Sequence, residues 1–318
     1  MTTKDKIVEL DDFLGKKLED LALIIRSVGD IGIIIAKHMR NLPTCSTALD
    51  SSHNHKTPGN NIHGETQTTL DVYANGLFRD CLKKIPCVKA IVSEEDDDIT
   101  VVNKDADYTL AYDPIDGSSN IDINIPVGSI LAVYGPDAKI IASSYIIYGS
   151  ATLYVLAIDN SVSMFALGDN DKWILSKENI LVPSTGIYYS INEGNEKFWS
   201  SETKQYIAEL KRSGRYSLRY VGSMVSDIHR TLMKGGIFIY PGDYKNPNGK
   251  LRQLYEVNPM SYIIESAGGL SYRGGDMIRC LDVPVTDIHQ KCPIYIGSRT
   301  DVQRAMEIIS SPTDRTTL

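Results

Sequence analysis

The chain reads as an α/β protein built as a layered sandwich of alternating helix and sheet layers. Three observations predict this class. Between residues 88 and 167 short apolar runs follow one another at strand length. From about residue 188 the rhythm changes to strand and helix in alternation, and Pro183-Ser184-Thr185-Gly186 punctuates the change. At 318 residues the chain is long for one hydrophobic core. The expected division is an N-terminal domain over 1–185 and a C-terminal domain over 186–318.

Over residues 10–40, Leu14, Leu18, Leu21, Ile25, Val28, Ile31 and Ile35 recur at helical spacing. Gly15, Gly29 and Gly32 are candidate breaks, and Pro43 is the stop. Residues 46–65 are polar, with Pro58, Gly59, Asn60 and Asn61, and read as a long loop. His53, His55 and His63 in that loop have no acids or cysteines at ligand spacing, so they read as solvated. A helix is predicted over 68–84. Strands follow over 88–93, 109–112, 129–134, 140–147, 152–158 and 163–167. The second half predicts strands over 188–191, 218–221, 236–240 and 294–297, with helices over 197–212, 225–233, 251–267 and from 301.

Composition excludes several classes. A formal charge of -7 gives no global positive field, so nucleic acid is not an expected partner. The longest apolar stretch, near residues 31–36, is too short to span a bilayer, and no membrane partner is expected. Five cysteines without CxxC spacing argue against a disulfide framework and a structural zinc site, and fit a reducing compartment. Met1-Thr2-Thr3-Lys4 opens no apolar signal core, so a cytoplasmic location is the expectation.

The chemistry concentrates in two strings. Asp113-Pro114-Ile115-Asp116-Gly117-Ser118-Ser119-Asn120 follows a predicted strand. Pro114 fixes its own φ and holds Asp113 extended, which favours a sharp turn. Asp113 and Asp116 on such a turn can converge, with the Ile115 carbonyl between them, into the hard oxygen set that Mg²⁺ takes. Gly117, Ser118 and Ser119 then offer backbone N–H groups to a phosphate, at an expected helix start. By itself Asp-Pro-X-Asp reads equally well as an Asx-type turn. Glu94-Glu95-Asp96-Asp97-Asp98 ends another predicted strand. Such a run alone reads as a solvated loop, but Glu94 and Glu95 can share a sheet edge with Asp113. Asp96, Asp97 and Asp98 read as solvent-facing.

Together these strings resemble the metal-site signature of class I fructose-1,6-bisphosphatases, a family that includes related sedoheptulose-1,7-bisphosphatases. The likeness continues in Arg219-Tyr220-Val221-Gly222-Ser223-Met224-Val225, Gly235-Gly236-Ile237-Phe238-Ile239-Tyr240-Pro241, Pro247-Asn248-Gly249-Lys250-Leu251-Arg252 and Leu254-Tyr255-Glu256-Val257-Asn258-Pro259-Met260. It covers roughly residues 60 to 305. Asp-Pro-Ile-Asp-Gly is shared with inositol monophosphatases, which carry a late Trp-Asp metal motif. Here Trp173 and Trp199 precede Ile174 and Ser200, and Glu256 stands where the sugar bisphosphatases place the last metal ligand.

The resemblance implies the sugar-phosphatase fold and Mg²⁺-dependent hydrolysis of a sugar-bisphosphate 1-phosphate, fructose 1,6-bisphosphate giving fructose 6-phosphate, a gluconeogenic reaction. Glu94, Asp113, Asp116 and Glu256 with the Ile115 carbonyl would bind two or three Mg²⁺ ions, for which Mn²⁺ can substitute. Glu95 and Asp71 would activate water. Glu65 stands where the family carries a loop aspartate that helps seat a metal. Asn192, Tyr220, Tyr240 and Lys250 would hold the distal phosphate. Arg219 would serve a neighbouring subunit, implying a homo-oligomer, dimer or tetramer.

Two other classes fit the residues less well. An oxidoreductase with a nucleotide cofactor would need a Gly-x-Gly-x-x-Gly turn, which is absent from the sequence. A non-catalytic sugar-phosphate sensor would lack a carboxylate, and every expected one is present. Within the enzyme class, Asn195 replaces a tyrosine typical of fructose enzymes, which reads equally well as room for a seven-carbon sugar or as drift at a rim position. Asp107, where the family's AMP site carries a lysine, predicts weak AMP inhibition.

Overall fold

The computed structural model of the protein describes residues 7–15, 17–41 and 69–310, which divide into two units after Ile180. The predicted loop over 46–65, with Glu65 and the three histidines, lies outside the described residues.

In the first unit the early apolar repeat forms α1 (Leu10–Leu14) and α2 (Glu19–Arg40), followed by α3 (Thr69–Leu82). The break falls after Leu14, whereas Gly29 and Gly32 lie inside α2. They are contact points with the sheet. A Cβ on Gly32 would stand 2.2 Å from Ile146 Cδ1. The Trp173 Nε1 donates to the Gly29 carbonyl at 3.1 Å, and the Tyr154 hydroxyl to that of Ile25 at 3.1 Å. Ile24, Ile25, Val28, Ile31 and Ile35 of α2 share one core with Leu70, Phe78 and Leu82 of α3.

The sheet beneath them has eight strands: β1 (Val88–Ser93), β2 (Thr100–Val101), β3 (Tyr108–Asp116), β4 (Val127–Tyr134), β5 (Ile140–Tyr148), β6 (Thr152–Ile158), β7 (Ser161–Leu167) and β8 (Trp173–Lys177). Their order is β2-β1-β3-β4-β5-β6-β7-β8. Every pairing is antiparallel except β1 with β3, which is parallel. The strands β2 and β8 escape the sequence reading. Two residues are too few to show alternation, and β8 is an edge strand ending in exposed Ser176 and Lys177. The strand predicted over 109–112 runs on through Pro114 to Asp116, because the register slips there. Asp113 pairs Ile130 and Asp116 pairs Gly128, three steps on β3 against two on β4. A bulge is where a strand accommodates proline.

The second unit contains β9 (Tyr188–Ser190), α4 (Ser201–Arg212), β10 (Ser217–Leu218), α5 (Met224–Lys234), β11 (Ile237–Tyr240), α6 (Asn258–Ser266), β12 (Leu270–Tyr272), β13 (Ile294–Gly297) and α7 (Arg299–Ile309). The sheet order is β10-β9-β11-β13-β12. β10, β9 and β11 run parallel, and the remaining pairs are antiparallel. Ile237 and Ile239 pack with Tyr206 and Leu210 of α4 and Val302 and Met306 of α7. Phe238 between them faces the opposite side, and α5 lies against β11 and α6 against β13. Helices therefore layer against a sheet in each unit, as the predicted α/β class requires.

Two predicted helices are interrupted. A 3₁₀ turn, Glu193–Phe198, precedes α4, whose N-cap Ser200 accepts from the Thr203 N–H. A π turn, Gln253–Val257, precedes α6, which carries Pro259 in its first turn.

Asp301, in the first turn of α7, is 2% exposed. It accepts hydrogen bonds from Thr185 Oγ1 at 2.9 Å, the Gly186 N–H at 2.8 Å and the Tyr216 hydroxyl at 2.7 Å. Burial, with this carboxylate beside it, pushes the Tyr216 hydroxyl pKa up and keeps it a donor. Asp301→Ala leaves three donors unmatched, at about 1–3 kcal/mol for each buried one. The expected result is a loss of about 3 kcal/mol or more in urea unfolding, with a smaller loss for Asp301→Asn.

Candidate active site

The bulge at the end of β3 places two acids together. Asp113 is 2% exposed and Asp116 6%, and carboxylate oxygens of the two lie within 4.8 Å of each other. The Ile115 N–H donates to Asp113 Oδ1 at 2.9 Å, and Ser129 Oγ donates to the Pro114 carbonyl at 2.7 Å. The turn is thus pinned on both sides of the proline. The Asx-type turn is real, and it coexists with convergence of the two carboxylates. After Asp116 the expected helix start is only a 3₁₀ turn, Ser118–Asn120, entered through Gly117 at φ 79°. Asn124 turns left-handed at φ 57° and the Ile125 N–H returns to the Asn120 carbonyl at 3.0 Å, so no helix propagates.

Because β1 runs parallel to β3, their C-terminal ends share one edge, and the Glu94 N–H extends the ladder to the Tyr112 carbonyl at 3.1 Å. Glu94 and Glu95 are half-buried there. Asp71 of α3 is 2% exposed, and one turn later Asn75 is 7% exposed. The Asn75 side chain joins three elements. Its Oδ1 accepts from Ser93 Oγ at 2.8 Å and from the Tyr112 hydroxyl at 3.1 Å. Its Nδ2 donates to Asp96 Oδ1 at 2.9 Å. Ser93 Oγ in turn accepts from the Glu95 N–H at 3.2 Å. Burial raises the Tyr112 pKa strongly and keeps the hydroxyl protonated, and the ring stacks on Phe78 at 4.9 Å.

This corrects the reading of Asp96. Its side chain is 19% exposed and takes Asn75 and Arg79 as donors, so it faces the helix instead of solvent. Asp97 and Asp98 are exposed as expected. Asn75 was missed although a signal existed: a polar residue in the buried stripe of Leu70, Ala74 and Phe78.

In the second unit Glu256 is 7% exposed on the π turn. Its Oε2 accepts the Arg252 N–H at 2.6 Å. Arg252, also missed, is 4% exposed, and its Nε is buried without a hydrogen-bond partner. Its Nη1 donates to the Lys250 carbonyl, and it forms no ion pair among the described residues. A buried cation without a carboxylate is costly unless an anion joins it.

The parallel strands β9, β10 and β11 end at one edge of the second sheet. Asn192, Arg219, Tyr220 and Tyr240 follow or close those ends. Asn192 is exposed and its Oδ1 accepts the Gly194 N–H at 3.1 Å. Arg219 is exposed, donates to the Leu218 carbonyl at 2.7 Å and lies 5.6 Å from the Tyr188 ring centre. Tyr220 is 36% exposed and Tyr240 half-buried, so neither is a core aromatic, and Lys250 is exposed.

Residues 55–178 match the family model for the N-terminal domain of fructose-1-6-bisphosphatase, and residues 182–310 match that for the C-terminal domain. The cytosolic fructose-1,6-bisphosphatase of Solanum tuberosum is 38% identical over 310 residues, covering 90% of this chain and 91% of that protein. The class 1 fructose-1,6-bisphosphatase of Nostoc punctiforme is 38% identical over 312 residues, covering 92% and 87%. The crystal structure of Leishmania major fructose-1,6-bisphosphatase in holo form superposes with a TM-score of 0.86 at 34% identity, over 95% of this chain and 99% of that one. Two halves matched in order, and relatives matched over nearly their whole length, lead to one statement: the chain belongs to the fructose-1,6-bisphosphatase family.

Proposed function

We propose that the protein hydrolyses the 1-phosphate of fructose 1,6-bisphosphate, water and the ester giving fructose 6-phosphate and inorganic phosphate. The observation that carries this reading is the buried pair Asp113 and Asp116, with carboxylate oxygens within 4.8 Å. Like charges that close in a buried setting need relief, from a shared proton or from a cation. Carboxylates and a carbonyl are hard oxygen donors, which fits Mg²⁺, with Mn²⁺ as a substitute. Glu94, Asp113, Asp116, Glu256 and the Ile115 carbonyl would hold the ions. When bound, they supply charge neutralisation at the phosphate and the leaving oxygen and acidify water.

Glu95 and Asp71 take the proton of the attacking water, a role open to carboxylates beside the reacting phosphate. Glu65 is assigned to the same machinery on sequence grounds alone. The N–H groups of Gly117, Ser118 and Ser119 face the reacting phosphate. Arg252 adds a cation to a substrate phosphate; its unmatched Nε supports the assignment. Asn192, Tyr220, Tyr240 and Lys250 hold the distal phosphate, and Arg219 does so for a neighbouring subunit, which makes the enzyme a homo-oligomer, dimer or tetramer. The six-carbon sugar is preferred over the seven-carbon one, in line with relatives named fructose-1,6-bisphosphatase. A cytoplasmic location follows the cytosolic relatives. No helix among the described residues is long and apolar enough to cross a membrane.

Exhaustive chelation should abolish phosphate release and Mg²⁺ or Mn²⁺ should restore it, with Asp116→Asn nearly inactive under both. Full activity after chelation would rule out the metal reading. Arg252→Met should lower kcat/KM by roughly tenfold to a hundredfold, since a charged hydrogen bond is lost. Its apo-protein should melt at the same or a higher temperature, because an unpaired buried cation has been removed. Asn75→Ala should raise the half-saturating Mg²⁺ concentration and cost about 1–3 kcal/mol in urea unfolding by stranding its buried partners.

A further inference from the structure

The exposed side chains of Arg219 and Tyr220 stand on a backbone that is held from below. Residues 219–222 connect β10 to α5. At the start of this segment the Arg219 N–H donates to the Tyr189 carbonyl at 2.9 Å. The Arg219 carbonyl accepts from Arg230 Nη2 at 2.7 Å. At its end the N–H groups of Val221 and Gly222 both donate to the Asp227 carboxylate at 3.1 Å. Gly222 adopts φ 85°, where a side chain would be strained.

Asp227 has a side-chain exposure of 0%, and Arg230, one turn further along α5, pairs with it through the same Nη2 that holds the Arg219 carbonyl. Breaking a buried pair by removing one partner is strongly destabilising, whereas apolar replacement of both is often tolerated. Stability alone therefore gives weak reason for two charges here. Their geometry gives a better one, since the Arg219 carbonyl and the Val221 and Gly222 N–H groups all terminate on this pair. A monodentate or mobile loop would let the Arg219 and Tyr220 side chains sample many directions. Clamped at both ends, each keeps a fixed direction, Tyr220 for the distal phosphate of its own site and Arg219 for that of a neighbouring subunit.

We propose that Asp227 and Arg230 are positioning residues that set the distal-phosphate selectivity of the enzyme. The inference rests on the reading of Tyr220 and Arg219 as distal-phosphate residues given above. Neither Asp227 nor Arg230 touches the sugar. They act through the backbone, so their loss is felt by substrates that carry the second phosphate.

The test compares fructose 1,6-bisphosphate with fructose 1-phosphate, which lacks that group. Steady-state kcat/KM is measured on both for the full-length wild type, Asp227→Asn and Arg230→Lys. Arg230 is 21% exposed in its side chain, so Arg230→Lys tests the idea even where Asp227→Asn fails to fold. The expected result is a bisphosphate-to-monophosphate ratio lowered on the order of tenfold to a hundredfold in each variant, carried mainly by KM. Loss of activity on both sugars in equal proportion would show a merely structural role and overturn the proposal. So would a ratio unchanged from wild type. A wild type that cleaves the two sugars equally would instead bring down the distal-phosphate reading itself, and this inference with it.

Discussion

Two carboxylates that cannot move apart are the constraint around which the first unit is organised. Unit charges about 4 Å apart repel by about 4 kcal/mol even at an effective dielectric constant of 20. Asp113 and Asp116 are held together against that repulsion by a strand bulge whose flanking polar groups are satisfied. The backbone must be stiff where the charges meet. Ser129, Asn75 and Tyr112 provide that stiffness with neutral hydrogen bonds that add no competing charge.

The second unit solves a different problem with the same edge geometry. Here the side chains at the strand ends are neutral or cationic, and the strands that carry them run parallel, so successive ends open in one direction. Buried Arg252 at the N-cap of the short π turn and Glu256 within it bring both signs of charge together. A π turn widens the helix locally and is frequent at functional sites.

Much of this was legible in the residues. The early helices, most strands and the alternation after residue 188 followed from periodicity, because each element buries one face. The Asp113–Asp116 string was readable because proline and glycine restrict the backbone around it. Other features were silent for physical reasons. A two-residue strand such as β2 has no period, and the end of β3 looked like a turn since nothing in one strand reveals the register of its neighbour. Asp96 looked like one more solvated acid, as its donors Asn75 and Arg79 lie 21 and 17 positions away in the chain. The π turn hid inside a good helical pattern for the same reason: its cause is tertiary.

The bulge also bears on how this part of the chain can change over generations. Side chains on a strand alternate between faces, so two residues three apart in a regular strand point to opposite sides. Between Asp113 and Asp116 the extra residue is what brings both acids to one place. A codon deletion there would not shorten a loop. It would leave two steps against two, with the pairing to β4 kept, but it would remove the turn in which the Ile115 N–H caps Asp113. Variation in this stretch is therefore confined to exchanges of one residue for another at fixed length, whereas loops elsewhere can grow and shrink.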